Sequence, residues 1–551
     1  ADTHAGKRGV LLNSGRSFTL NELLFLFNQG SPLASLERYA QLVARRNNVE
    51  APGKIPVGWA DWYFAYGTTT EEEALKNLDF IAQELKDYGV EYFEIDSAWQ
   101  LGVETTPPPD NFIAGGPWVP NRKFPHGMKW LADRIREKGL KPGIWVRPFQ
   151  MIEGAPERNE HPDWFNEKGQ MDFSNREVRE WVRCLFEMLV DDWGYEYIKY
   201  DFPSFDLFGE WGPKLFEEHA ARVEPSDQTL TNIQAYREAL KTIRETTAGK
   251  SILMACNSVM PPTLGLADAF RIGDDVGDWA RTFKYGVKSV SARYYTNGVY
   301  WVNDPDCLIV REPFTLDQAR MWASLVALSG GVVFISEKVY DLPPERLDII
   351  KRVLPVFRNT DGGYPFGRPV DLIERHTPEV WNLQVKKPFD TWNIVGVFNW
   401  SGEKMLKELE FQSLDLQPEV SYLVHDFWQD EFLGSFQEFL SLEVPPQSCQ
   451  VLAIHKRVPN PQFLSSSRHI TQGGVELERL DWDDSAQTLS GVCKVIKDNP
   501  YDLSIHVPGE FRPVRVFGAE GDEYGHNEIF RLKFSSTETK EIPWQVGFDK
   551  T

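Results

Sequence analysis

From residue 55 onward one unit recurs: an amphipathic helix ends at a glycine, and a short apolar strand starts two or three residues later. Asp87-Tyr88-Gly89 leads into Glu91–Asp96, and Glu137-Lys138-Gly139 into Pro142–Val146. Asp192-Trp193-Gly194 leads into Glu196–Asp201, Thr247-Ala248-Gly249 into Ser251–Cys256, and Ser329-Gly330-Gly331 into Val332–Ser336. Glycine is the residue that accepts the left-handed turn closing a helix. Helix, glycine and strand in series imply βαβ crossovers and a parallel sheet. The spacing predicts capping boxes at Thr70 with Glu73 and at Ser174 with Glu177, and a buried stripe of Leu75, Leu78, Ile81 and Leu85 on the first helix. About eight strands fit between residues 56 and 336, and no Gly-rich phosphate loop follows the first, so a closed barrel is favoured over a doubly wound sheet. The long segments 97–126 and 202–228 follow strand C-termini, where a barrel builds its site.

The expected architecture is therefore α/β. A (β/α)8 barrel covers 55–355, a C-terminal antiparallel β-sandwich 356–458, and a further β-rich segment 459–551. Residues 1–54 form a stub, with a strand at Gly9–Thr19 and a helix at Pro32–Arg46 that caps the barrel. A formal charge of −22 over 551 residues argues against nucleic acid and anionic membrane as partners. No apolar run reaches the roughly 18 residues of a membrane span. Five cysteines, odd in number and widely spaced, show neither a zinc pattern nor a disulfide framework. With no signal peptide at the start, a cytoplasmic compartment is expected; secretion stays open, since the chain can begin part-way into a longer protein. The 19 tryptophans point weakly to sugar, whose apolar C–H faces stack on indoles.

If the barrel is right, its strand ends are Trp59–Trp62, Asp96, Trp145–Arg147, Lys199–Asp201, Cys256, Arg271–Asp275 and Asn303–Asp306. In Tyr195-Glu-Tyr-Ile-Lys-Tyr-Asp201-Phe-Pro203 a run of β-formers ends on charge, and Pro203 stops the ladder. Lys199 and Asp201, two apart, share a strand face. Asp274-Asp275 follows the sixth strand. Paired carboxylates with tryptophans, and with neither a triad nor a metal cluster, suggest glycoside hydrolysis. On this reading Lys199 lowers the pKa of Asp201 and keeps it anionic, while Asp274 raises that of Asp275, as an acid requires. The alternatives are a salt bridge at a strand end, and Asp274, Asp275 and Asp278 merely capping a helix or facing solvent. Asp61, Trp118, Arg147 and Asp304 are further candidates near the mouth. Asp304 and Asp306 either touch substrate or brace loops, and Trp99 and Trp118 either wall the pocket or anchor the long second loop.

Residues 56–340 resemble glycoside hydrolase clan D, most closely the family 36 α-galactosidases, or melibiases. Tyr197-Ile-Lys-Tyr-Asp201 resembles the nucleophile strand of that family. Arg271-Ile-Gly-Asp-Asp275 resembles the acid/base segment, with Asp275 at the catalytic position. Gly58-Trp-Ala-Asp-Trp62, Gly143-Ile-Trp145 and Asn303-Asp-Pro-Asp-Cys-Leu-Ile309 resemble the motifs of strands one, three and seven. The resemblance implies a retaining two-step exo-α-galactosidase that needs neither metal nor cofactor and is often a homo-oligomer. It implies that Trp62 and Trp145 line the sugar pocket and that Lys199 binds the 3- and 4-hydroxyls. Cys256 and Arg271 are implied to lie near the 2-hydroxyl. One departure stands out: two consecutive aspartates are usual after strand two, holding the 4- and 6-hydroxyls, and here they are Asp96-Ser97. That leaves open another sugar, or transfer to a sugar acceptor. A non-catalytic carbohydrate-binding protein is the alternative of another class. The family also usually carries a β-sandwich upstream, of which only the stub is seen.

Overall fold

The computed structural model of the protein describes residues 4–5, 8–9, 24–27, 30–50, 53–103, 114–209, 224–360, 365–522 and 528–550. Its centre is an eight-stranded parallel sheet. The strands are β1 (Val57–Ala60), β2 (Tyr92–Ile95), β3 (Lys141–Val146), β4 (Tyr197–Tyr200), β5 (Ile252–Ala255), β6 (Ala269–Arg271), β7 (Val302–Asp304) and β8 (Val333–Ile335). Each pairs with the next in chain order from β1 to β7, and β8 returns beside β1 with Val333 opposite Val57. The amide of Val332 donates to the carbonyl of Asn303 at 2.8 Å and joins β8 to β7, so the ring closes. The expected (β/α)8 barrel is the fold observed.

The barrel is filled, not hollow. Tyr197 lies against Tyr92 (ring centroids 5.6 Å apart) and Phe334 (4.7 Å). Room for these rings comes from glycine: a Cβ on Gly58 would sit 2.8 Å from the Phe334 ring, and one on Gly143 3.0 Å from Cβ of Glu94. The helices that precede strands end as the sequence pattern requires. Gly89, Gly139, Gly194, Gly249 and Gly330 all have positive φ, between 66° and 94°.

Helix α1 (Pro32–Arg46) packs beside the approach to β7, where the Tyr294 hydroxyl donates to the Leu33 carbonyl at 3.1 Å. The expected strand at Gly9–Thr19 lies outside the described residues except for Gly9, which closes a two-residue ladder with His4–Ala5. On α2 (Glu71–Glu84) the Thr70 hydroxyl accepts from the Glu73 amide at 3.3 Å, and Leu78, Ile81 and Leu85 are buried, with Leu75 partly so. Helix α3 spans Met128–Glu137. The cap of α4 (Arg176–Glu187) differs from expectation. Asn175, not Ser174, accepts from the Glu177 amide (2.8 Å), because the Ser174 hydroxyl is turned to Asp172 (2.7 Å). Helices α5 (Pro203–Phe208), α6 (Asn232–Thr247), α7 (Leu316–Ser329) and α8 (Pro344–Arg352) complete the layer used below.

Beyond the barrel the period changes to two. Strands β9 (Val380–Lys386), β10 (Thr391–Asn399), β12 (Tyr422–Asp426), β13 (Glu431–Phe436) and β15 (Ser448–Lys456) join Arg368–Pro369 in a six-stranded sheet. The pair β11 (Met405–Glu410) and β14 (Phe439–Val444) forms a second layer, and Val395, Val397, Leu409, Leu440 and Leu452 are buried together in its core. Two four-stranded sheets follow. One holds β16 (Gln462–Ser466), β19 (Tyr501–His506), β21 (Ile529–Phe534) and Glu520–Gly521. The other holds β17 (Leu477–Asp483), β18 (Thr488–Val495), β20 (Phe511–Phe517) and β22 (Lys540–Lys550).

Both β parts grip the barrel. Trp400, just past β10, stacks near-parallel on Trp279 (6.3 Å) and on Phe398 (5.0 Å). Arg468, after β16, donates to the carbonyls of Lys351 (2.9 Å) and Leu354 (3.2 Å), which cap the C-terminus of α8.

Candidate active site

The chemistry-bearing side chains sit at or just past the C-termini of the strands, on one mouth. Asp201 directly follows β4. Its Oδ2 accepts from the Trp145 indole at 2.9 Å; its Oδ1 accepts from the Phe202 amide and the Asn257 side chain, each at 2.8 Å. Trp145 is itself buried, and its carbonyl accepts from Trp99 at 2.9 Å. Three neutral donors thus fix the orientation of the carboxylate.

Lys199 lies two residues upstream, on the same face. Its ammonium pairs with Asp96 at 2.7 Å, not with Asp201, which corrects the expected partner. The reason is positional: Asp96 ends the second strand facing Lys199, and Asp201 is already occupied by donors. Burial favours neutral Lys199, but its acidic neighbours, Asp96 first, together outweigh it and hold the ammonium well above its ordinary range. Asp96 also accepts from the Ser97 amide (2.7 Å), and Asp61 accepts from the Asp96 amide (2.7 Å). Asp61 is pushed up to about 6 by burial, with the Asp96 carboxylate adding to the rise.

Asp275 follows β6. Its Oδ1 accepts from Arg271 Nη2 at 2.7 Å. The expected effect of Asp274 is not found. The Asp274 carboxylate accepts from the Asp275 amide (2.8 Å) and faces Arg281 (3.3 Å), with its side chain 54% exposed. Burial raises Asp275, but Arg271, then Lys199 and Arg281, outweigh it and hold the carboxyl below the usual range. In the free protein Asp275 is therefore an ion-paired carboxylate, and its protonation needs Arg271 to be satisfied elsewhere.

A chain of contacts links the two carboxylates. Asn257 Nδ2 lies 2.8 Å from Asp201 and 3.8 Å from Cys256 Sγ; Arg271 Nη1 lies 3.9 Å from the same sulfur, and Nη2 reaches Asp275. Burial pushes the Cys256 thiol well above its ordinary range, so it is a neutral spacer. Trp62 is half-buried at the rim, edge-on to Tyr66 at 5.7 Å. Trp118 is buried between Trp99 (5.8 Å) and Trp145 (6.3 Å). Arg147, expected to re-equip the pocket, forms a buried pair with Asp206 on α5, with Nε 3.1 Å from each oxygen. Asp304 accepts from the Asp306 amide at 2.9 Å, a bracing role.

Sequence reasoning passed over Asn257, Tyr63 and Asp206. A signal existed for the first: it follows Cys256 directly at a strand end. Asn257 (φ 43°), Phe202 (64°), Ala98 (78°) and Asp306 (83°) are non-glycine residues in the left-handed region, each two or three residues past a barrel strand. Such backbone costs on the order of 1–3 kcal/mol per residue and gathers where geometry is functional. Among the described residues no group of side chains could hold a metal ion, and no helix is long and apolar enough to cross a membrane.

Residues 37–207 match the family model described as Melibiase. The chain is 25% identical to α-galactosidase 3 of Arabidopsis thaliana over 427 residues, 75% of this chain and 83% of the relative. It is 27% identical to α-galactosidase 1 of Pediococcus pentosaceus over 207 residues, 34% of this chain, and so spans only 27% of that relative's length. In fold it is similar to a glycoside hydrolase family 27 β-L-arabinopyranosidase from Geobacillus stearothermophilus, with a TM-score of 0.52, 19% identity, and coverage of 77% of this chain and 99% of that one. The barrel therefore carries a melibiase-type region, and α-galactosidases are among its relatives.

Proposed function

We propose that the protein is a retaining α-glycoside hydrolase of the exo-α-galactosidase type. The carrying observation is the pair of carboxylates past β4 and β6, joined through Asn257, Cys256 and Arg271. Asp201, held by three donors, attacks the anomeric carbon while Asp275 gives its proton to the leaving oxygen, and the glycosidic C–O bond breaks. Asp275, now a carboxylate, removes a proton from water. The water oxygen bonds to the anomeric carbon, the ester to Asp201 breaks, and the original configuration returns. Lys199 with Asp96 offers a charged pair to sugar hydroxyls. The relatives' names and the melibiase match support α-galactosides as substrates. Within clan D, the motifs around Asp201 and Asn303–Ile309 favour family 36, though the solved fold covered almost in full is a family 27 enzyme.

Asp201→Ala is expected to abolish turnover of aryl α-galactosides. Added azide is expected to restore turnover and give the β-galactosyl azide. Intact protein that turns over no α-glycoside would instead identify a binding protein.

Ser97 favours a second reading, a sugar other than galactose. A charged acceptor usual at this place is replaced by a hydroxyl, which changes recognition by about 1.5–3 kcal/mol. A panel of aryl α-galactoside, α-glucoside, α-N-acetylgalactosaminide and β-L-arabinopyranoside separates the two. If Ser97→Asp raises galactoside turnover, the native sugar is another one.

A further inference from the structure

Arg271 is buried and its Nη2 serves three oxygens at once: Asp275 Oδ1 at 2.7 Å, Asp306 Oδ2 at 2.5 Å and Tyr63 Oη at 3.2 Å. One NH2 group has two hydrogens, so these acceptors compete. They are not equivalent. Asp275 has a side chain 48% exposed, whereas that of Asp306 is 2% exposed. Asp306 is also fixed from every side. Its Oδ2 accepts from the Val276 amide (2.7 Å) and from the Tyr63 hydroxyl, and its Oδ1 from the Cys307 amide (2.8 Å). It thereby ties together the loops after β1, β6 and β7.

The reaction asks Asp275 to take up and surrender a proton in each cycle. A buried guanidinium whose only counter-ion was Asp275 would oppose the uptake, because it would be left unpaired. We propose that Asp306 is a positioning residue that acts as the standing counter-ion of Arg271, so that Asp275 can change charge while the guanidinium stays in place. This rests on Asp275 being the acid/base. The charged and titratable groups around the network are few. Asp306 faces Arg271, Asp275, Asp304 and Tyr63; Asp275 faces Arg271, Lys199 and Arg281; Tyr63 also faces Cys307; Tyr66 faces Arg311, Asp275, Asp306 and Arg281. Burial pushes Asp306 up to about 6, with Arg271 opposing, so it is ionised at neutral pH.

The test is a pair of pH profiles of kcat/KM. One uses 2,4-dinitrophenyl α-galactoside, whose leaving group needs no proton; the other uses 4-methoxyphenyl α-galactoside, whose leaving group does. Asp306→Asn leaves the Arg271 charge to Asp275 alone. The poor substrate is expected to lose about tenfold or more, the activated one less than about threefold, and the basic limb to move down by about one pH unit. Tyr63→Phe removes the hydroxyl that helps hold Asp306 ionised, weakens it as the counter-ion of Arg271, and is expected to move the basic limb down by less than Asp306→Asn does. Equal losses on both substrates with an unmoved limb, or limbs moving in opposite directions in the two variants, overturn the proposal. If Asp306→Asn does not fold, Tyr63→Phe decides alone: a limb unmoved or raised overturns it. Asp275→Ala separates the underlying reading, since equal loss on both substrates would show that Asp275 is not the acid.

Discussion

Glu94 shows how one side chain is governed by its surroundings. It points into the barrel from β2, is 2% exposed, and its Oε1 has no hydrogen-bond partner. Burial drives it well above the carboxylate range, Lys199 opposes this, and Asp96, Asp61 and Asp304 add to it. A folded pKa above the unfolded one means a contribution present at low pH and lost as pH rises through the folded value. Glu94→Gln is therefore expected to raise stability at pH 8 and to match the parent near pH 4, read as denaturant midpoints at the two pH values. No pattern in the sequence announced this residue, because an inward glutamate on an apolar strand looks like any strand-face charge. The placement of Asp201 and Asp275 past strand ends was legible, because each follows a strand that ends abruptly. Which charge pairs with which was not. Lys199 with Asp96, and Arg147 with Asp206, join residues 103 and 59 apart, and only the closed ring brings them together.

Among the elements, α5 matters most. It starts at Pro203, two residues past Asp201, and carries Asp206. Arg147 reaches it from the end of β3, and its guanidinium also lies over Phe202 (4.8 Å) and Phe205 (5.6 Å). This buried pair fixes the turn that presents Asp201. Burial raises Asp206 even against the pull of Arg147, so removing the arginine leaves a carboxyl with no counter-charge. Arg147→Met is expected to cost about 3–5 kcal/mol. The double variant with Asp206→Leu is expected to recover most of that in a thermal melt but not the turnover. The helix–glycine rhythm made these elements readable, since a left-handed closing residue is a local demand. The Asn175 cap was not readable, because Ser174 is drawn off by Asp172, a tertiary contact.

For the molecule as a whole, the join between the two β parts is rich in buried histidine. His455 stacks on Trp392 at 5.2 Å and meets Phe463 across the join at 5.5 Å. His425 lies 3.5 Å from Asp430, which also pairs with Arg531 of β21. Burial lowers His425 to about 4, with Asp430 opposing and Arg531 assisting. Because its folded pKa is depressed, stability is complete above the unfolded value near 6.5 and is lost as pH falls toward about 4. The effect is on the order of 3 kcal/mol. His425→Gln is expected to flatten the fall in melting temperature between pH 6.5 and 4; an unchanged slope would exclude His425 as its source.

The stack of Trp279 on Trp400 bears on how this chain can be divided. Trp279 lies four residues beyond Asp275, and its neighbour belongs to the β-sandwich. The segment bearing the proposed acid/base is thus shouldered from outside the barrel. An isolated barrel would retain Asp201 on its own scaffold and leave Asp275 on a segment stripped of its buttress, so the sandwich is part of the working enzyme and no mere appendage.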